Sequence, residues 1–195
     1  MPHKTAIVAL LDELTPDARL VGAVNVIRRT IEGRMIGTIM DGEGFVAGLK
    51  AAGHDVAGAS CFLAGAGGAA SAIALALARH GCGSLTIHNR TTSKAESLVA
   101  RVRQAFPAVR VEAGEGRGQS YDIAVNATSL GMNNGDELPI ADAIIEASAL
   151  IVECVIGPEI TPLLDLARRK GRAIHTGVHM LEGQLDLMLP FMGVD

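Results

Sequence analysis

Ser60-Cys61-Phe62-Leu63-Ala64-Gly65-Ala66-Gly67-Gly68-Ala69-Ala70-Ser71-Ala72-Ile73-Ala74 is the stretch on which the fold turns. The apolar run 60–64 reads as a buried strand, 65–68 as a glycine turn, and the small-residue run 69–79, closed by Gly81, as a helix. A strand that passes through Gly-x-Gly-x-x-Ala directly into a helix has the form of a dinucleotide-binding fingerprint. Each position has its own reason. Gly65 makes the tight turn, Gly67 lets the backbone approach a pyrophosphate, and Ala70 keeps the helix close to the sheet. Gly68 and Ala69 open the helix, whose free amides and partial positive charge face the phosphates, with Ala66 at the tip of the turn.

Downstream the same pattern repeats. Strands are expected at 84–88, 109–112, 122–126, 150–155 and 172–175, and helices at 94–106, 141–147 and 162–170, with a surface loop at 114–119. Alternation of this kind predicts a parallel sheet covered on both faces with right-handed crossovers, the doubly wound Rossmann class of α/β fold. Upstream the reading changes. Ile7, Leu10, Leu11 and Leu14 at helical spacing predict a helix over 4–14 that stops at Thr15-Pro16. Two β-prone runs, 23–29 and 34–39, flank a hairpin turn at Glu32-Gly33, and a helix over 43–52 ends at Gly53.

Composition narrows the class. Hydrophobic residues make up 49% of the 195 positions and charged residues 19%, enough apolar surface for a real core. A net charge of −4, 3% aromatics and no Trp argue against a nucleic-acid partner, which would want a basic field and stacking platforms. Cys61, Cys82 and Cys154 are an odd number without a Cys-x-x-Cys pair, so neither a disulfide framework nor a zinc site is expected. The first residues lack the pattern of a secretion signal, and no run of about 18 apolar residues suggests a membrane span. The cytoplasm is the expected location.

The end of the second strand of the fingerprint unit selects the cofactor. An NAD site usually carries an acid about 20 residues beyond the first glycine, to accept from the ribose 2′-hydroxyl. This chain has Asn89-Arg90-Thr91-Thr92-Ser93-Lys94 instead, with no acid before Glu96. Arg90 and Lys94 can bracket a 2′-phosphate, one by forked hydrogen bonds and the other as a point charge, so NADP is expected over NAD.

With these residues in place the chain resembles the shikimate dehydrogenase family along nearly its whole length. The signatures run in order: Pro2-His3-Lys4, Gly22-Ala23-Val24-Asn25, Asp41-Gly42-x-Gly44, Gly65 to Ala69, Asn89-Arg90-Thr91, Asn126-Ala127-Thr128-Ser129-x-Gly131-Met132, Thr161-Pro162-Leu163-Leu164, and Gly177 to Gln184. The resemblance implies NADP-dependent interconversion of 3-dehydroshikimate and shikimate in aromatic amino-acid biosynthesis. Lys4 matches the family's catalytic lysine, Asp41 its partner, and Asn25 and Gln184 ligands of substrate hydroxyls. Thr128 and Gly177 match the walls around the cofactor. Residues 1–43 are then the remnant of an α/β substrate-binding domain, 44–176 the NADP-binding domain, and 177–195 a C-terminal helix returning to the first. The implied partner is a small polyol acid, bound to a monomer or homodimer with no membrane contact.

The chain departs from the family in three places. The family's Gly-Asp-Asn-Thr-Asp-Gly reads Gly37-Thr38-Ile39-Met40-Asp41-Gly42 here, and Ile156-Gly157-Pro158 stands where a tyrosine precedes Asn-Pro, which leaves quinate or another shikimate analogue open as substrate. The family also places a substrate-gripping segment with its serines before the lysine. Its lack here is expected to mean either an internal start or a truncated paralogue that binds NADP without catalysis, with open edges on the hairpin. His175-x-x-x-His179 has metal-pair spacing interrupted by Gly177, and no metal is expected. Met180, Met188 and Met192 with Leu181, Leu185 and Leu189 are expected to form the buried face of the last helix.

Charge-assisted contacts to a ligand contribute roughly 1.5 to 3 kcal/mol each. Arg90→Ala should therefore weaken NADP binding by about tenfold or more while leaving NAD nearly unchanged, measured by calorimetry. Equal losses for both dinucleotides would remove the 2′-phosphate role.

Overall fold

The computed structural model describes residues 3–194; Met1, Pro2 and Asp195 lie outside the described residues, so the first signature is seen from His3 onward. Six parallel strands form the main sheet: β4 (Ser60–Ala64), β5 (Ser84–His88), β6 (Arg110–Ala113), β7 (Tyr121–Asn126), β8 (Ser148–Glu153) and β9 (Ala173–His175). Their spatial order is β6-β5-β4-β7-β8-β9. Counted from β4 this is the 3-2-1-4-5-6 order of the Rossmann fold, with its switch point between the carboxyl ends of β4 and β7. The helices α3 (Gly68–Arg79) and α4 (Thr92–Ala105) join the strands of one half, α5 (Asp142–Glu146) and α6 (Pro162–Arg169) those of the other. Apolar side chains fill both faces of the sheet, in two clusters centred on Leu63, Ile73 and Leu98 and on Phe62, Ile144 and Leu164.

A second, smaller sheet precedes it, with β1 (Glu13–Leu14), β2 (Val26–Arg29) and β3 (Met35–Thr38) in the order β1-β3-β2. The hairpin β2–β3 is antiparallel as expected, in the register Ile27 opposite Gly37. Two expectations for the N-terminal segment fail, and a third holds on one edge only. Residues 4–14 do not form one α-helix: a 3-10 helix spans Ala6–Leu10, the chain extends at Leu11, and β1 pairs parallel with β3. Tertiary pairing wins over helical periodicity, with Asp12 N–H donating to the Met35 carbonyl at 3.0 Å and Thr15 N–H to that of Gly37 at 2.9 Å. Thr15-Pro16 starts a helix rather than stopping one. Thr15 Oγ1 accepts from Ala18 N–H, Pro16 is the first residue of α1 (Pro16–Val21), and Gly22 closes it in the left-handed region. Because β1 covers β3, the hairpin is open only along β2, where Arg28 lies 5.2 Å from the ring of Phe191.

Two further helices connect the sheets, α2 (Asp41–Ala51) and α7 (Val178–Met192). They approach at backbone distance. A Cβ on Gly48 would come 2.5 Å from the His179 carbonyl oxygen, one on Gly183 would collide with the Gly44 carbonyl, and one on Gly44 with Gln184. On its other side α2 rests on α3, where Gly42 abuts the Ala72 carbonyl. The contact buries only part of α7. Met180 and Gln184 are buried, but Leu181, Leu185, Leu189 and Met192 are 43 to 52% exposed, so the expected buried Met/Leu face is corrected: the helix is held through Gly183 and its neighbours, and those four side chains stay open. Among the described residues no helix is long and apolar enough to cross a membrane.

His175 of β9 sits under the start of α7, its ring 4.5 Å from that of His179 and 6.0 Å from that of His54. Burial, with the charges of His179 and His54 adding to it, holds His175 down at about 4. Above pH 6.5 the ring is neutral folded or unfolded. As pH falls from about 6.5 to about 4 the unfolded chain takes up a proton that the fold refuses, so stability should drop by about 3 kcal/mol. Denaturant midpoints across this range check it, and His175→Gln should remove this share of the loss.

Candidate functional site

Four polar side chains from four separate segments meet where the small sheet faces the start of α3. Lys4 Nζ donates to Asp41 Oδ2, and Asn25 Nδ2 donates both to Asp41 Oδ1 at 2.9 Å and to Gln184 Oε1 at 2.8 Å. Each is fixed from behind. Asn25 Oδ1 accepts from Met40 N–H at 3.0 Å, Gln184 Nε2 donates to the Met180 carbonyl, and the Lys4 carbonyl accepts from Val24 N–H. Asp41 opens α2, where the helix dipole favours a negative charge, and its side chain is 3% exposed against 16% for Lys4. A lysine donor is thus held by a buried carboxylate that is itself oriented by an amide.

This group lines one end of a cavity of about 500 Å³, a size suited to a small ligand with part of a cofactor. Gly67, Gly68, Ala69, Thr128, Met132, Ile156, Leu181 and Met188 complete much of the lining. The cavity shares Gly67, Ala127, Thr128 and Ser129 with a second groove, of about 300 Å³, which Gly65, Ala66, Asn89, Arg90, Thr91 and Lys94 also line. The two run end to end along the carboxyl edge of the sheet at its switch point. A Cβ on Gly65, at φ +119°, would lie 2.9 Å from the Ala127 carbonyl oxygen, while one on Gly67 would meet nothing within 4 Å and would stand in the open groove. Backbone bared in this way at the start of a helix is what a pyrophosphate requires. Asn89 Nδ2 donates to the Thr91 carbonyl at 2.9 Å and so shapes the turn that carries Arg90. Neither Arg90 nor Lys94 joins a salt bridge among the described residues.

Of the candidate residues, only Gly177 lies off both linings. It caps α7 and packs against the Val155 carbonyl, so it supports the wall rather than forming it. Two residues went unread in the sequence. Cys154 lines the cavity, and burial, together with the charges of Glu153 and Asp41, pushes its thiol well up. Glu153, 1% exposed, accepts four hydrogen bonds beside the cavity-lining Cys154 and Val155. Its one signal was an acid ending an otherwise apolar strand. Among the described residues no group of three or more His, Cys, Asp or Glu is placed to hold a metal.

Comparison with known proteins decides the family. The family described as shikimate / quinate 5-dehydrogenase matches residues 48–134, and the shikimate dehydrogenase substrate binding domain matches residues 1–27. The NADP(+) shikimate dehydrogenase of Rubrobacter xylanophilus is 38% identical over 199 residues, covering 100% of this chain and 67% of that protein. The chain belongs to the shikimate dehydrogenase family. The family's enzyme from Geobacter metallireducens is 37% identical, covering 97% of this chain and 68% of its own. Among solved structures, the shikimate 5-dehydrogenase of Thermus thermophilus in complex with NADP(H) and shikimate superposes with a TM-score of 0.85 at 31% identity, over 98% of this chain and 70% of that one. The 5-ketofructose reductase of a Gluconobacter strain superposes at 0.82 and 34% identity, with the same coverage.

Proposed function

We propose that this chain is the NADP-binding and proton-donating part of a cytoplasmic shikimate dehydrogenase, interconverting 3-dehydroshikimate and shikimate. The observation that carries the reading is the placement of the Lys4–Asp41 pair in a cavity continuous with the Gly65–Gly68 turn. NADPH, when bound, supplies a hydride to the ring ketone. Gly65 to Ala69 receive the pyrophosphate, and Arg90 and Lys94, with Asn89 and Thr91 shaping their turn, receive the 2′-phosphate. Thr128 lies where the two cavities join and so flanks the nicotinamide end.

The chain's own chemistry is the proton. An ammonium has three N–H donors; Lys4 gives one to Asp41 and keeps others for the ketone oxygen, where it stabilises the developing alkoxide and protonates it. Asp41 holds the amine in place throughout, and Lys4 regains its proton from solvent. The second N–H of Gln184 Nε2 and the remaining lone pair of Asn25 Oδ1 are the amide groups left to meet ring hydroxyls. Residues 44–176 then act as the cofactor unit, with 1–43 and 177–195 on the substrate side. Ile156, 47% exposed on the cavity wall, supports a second reading, quinate or another shikimate analogue as substrate, because an apolar side chain there offers no hydrogen bond by which the site would discriminate among such polyols.

Lys4→Met should lower the rate of NADPH oxidation with 3-dehydroshikimate by roughly 10²- to 10⁴-fold and leave NADP affinity unchanged. Loss of absorbance by NADPH measures the first and calorimetry the second. Turnover unaffected by the substitution would move the proton donor elsewhere.

A further inference from the structure

Glu153 ends β8 directly before Cys154, Val155 and Ile156, which line the cavity, and its carboxylate collects donors from three elements. Oε1 accepts from Asn126 Nδ2 at 2.8 Å, Cys154 N–H at 2.8 Å and Val155 N–H at 2.9 Å; Oε2 accepts from Thr161 Oγ1 at 2.9 Å, the residue that caps α6. The effect passes outward through Asn126. With its Nδ2 committed to Glu153 and the Leu130 carbonyl, Asn126 must turn Oδ1 toward the next loop, where it accepts from Thr128 N–H at 3.0 Å and Thr128 Oγ1 at 2.7 Å. Leu130 N–H then donates to Thr128 Oγ1 at 3.1 Å. Gly131 brings the loop down so closely that a Cβ there would lie 3.5 Å from Thr161 and 3.9 Å from Glu153 Oε2. One buried carboxylate therefore fixes both strand ends whose loops carry Thr128, Cys154, Val155 and Ile156 to the cavity. Burial pushes the Glu153 carboxyl up, and the four donors pull against it, so the group, 1% exposed, spends its hydrogen bonds on these loops rather than on a substrate.

We propose that Glu153 is a positioning residue for the nicotinamide half of the cofactor, setting the gap between the β7 and β8 loops in which the reacting ring lies. This rests on the NADP reading above. The adenine half is held by Arg90, Lys94 and the glycine turn, so a positioning role separates the two halves and a merely structural role does not. Glu153→Gln keeps the volume but turns the Thr161 hydroxyl from donor to acceptor and removes the charge behind the other three bonds. NADPH should bind the variant roughly tenfold more weakly, with reduced enhancement of nicotinamide fluorescence, while 2′,5′-ADP binds within about twofold of the parent. Asn126→Ser, which cuts the relay one step nearer the loop, should give the same separation, and Glu153→Asp should recover part of the NADPH affinity. Parallel weakening toward both ligands, no change toward either, or a Gln variant that does not fold would make Glu153 a residue of stability alone and overturn the proposal. If the parent chain bound neither NADPH nor 2′,5′-ADP, the NADP reading itself would fall, and this proposal with it.

Discussion

Everything at the site depends on how closely α7 can lie against α2. Three glycines, Gly44, Gly48 and Gly183, remove the side chains that would otherwise keep the helices apart, and the Gly44 and His179 carbonyls occupy the space where Cβ atoms would stand. Close packing without side chains gives up conformational entropy and apolar burial at three positions, costing roughly 0.5 to 1 kcal/mol each relative to alanine. In exchange, Gln184 reaches Asn25, a residue 159 positions away in the chain, and Asn25 in turn reaches Asp41 at the start of α2. A gap wider by one methyl group would break the contact between α7 and the small sheet and leave the amide of Asn25 without its second acceptor.

The same economy governs the other side of α2. Alanines at 70, 72, 74, 76 and 78 make α3 narrow enough to sit between the sheet and α2, and Gly42 lets α2 settle onto the Ala72 carbonyl. The start of α3, which faces the groove lined by Gly65 to Gly67, thus comes beside Lys4: a Cβ on Gly68 would lie 3.7 Å from that of Lys4. Small residues in two helices bring Lys4 and the Gly67–Gly68 turn to the same cavity. On the opposite wall the constraint is polar, since the loops after β7 and β8 are tied through Asn126 and Glu153 rather than packed.

How much of this was legible follows from how local each signal is. Strands 60–64 and 84–88 match the structure residue for residue, because an apolar run bounded by glycine carries its own boundaries. Residues 4–16 were misread for the opposite reason. β1 is two residues long and exists only because β3 offers it hydrogen-bonding partners, and Thr15-Pro16 serves equally as a stop or as an N-cap and first turn. The last helix was judged by periodicity, which finds an apolar stripe but not whether anything covers it; Leu185 and Leu189 lie open. Lys4, Asp41, Asn25 and Gln184 came from family resemblance, since no spacing rule joins residues so far apart. Glu153 had no such motif, and its meaning depends on neighbours that only the sheet brings together.

The central claim is that a glycine contact between α2 and α7, remote from any reacting atom, holds the proton-donating group in register with the ketone. Gly183→Ala tests it most directly, because it pushes the helices apart while leaving Lys4, Asp41, Asn25 and Gln184 in the chain. Displacements near 1 Å can cost about a hundredfold in rate. With rates taken on the folded fraction, the account predicts that kcat/KM for the ketone falls by at least about tenfold while the affinity for NADPH, bound at the other end of the groove, stays the same. Unchanged kcat/KM in a folded Gly183→Ala chain would contradict it, and so would a loss of NADPH affinity as large as the loss in turnover.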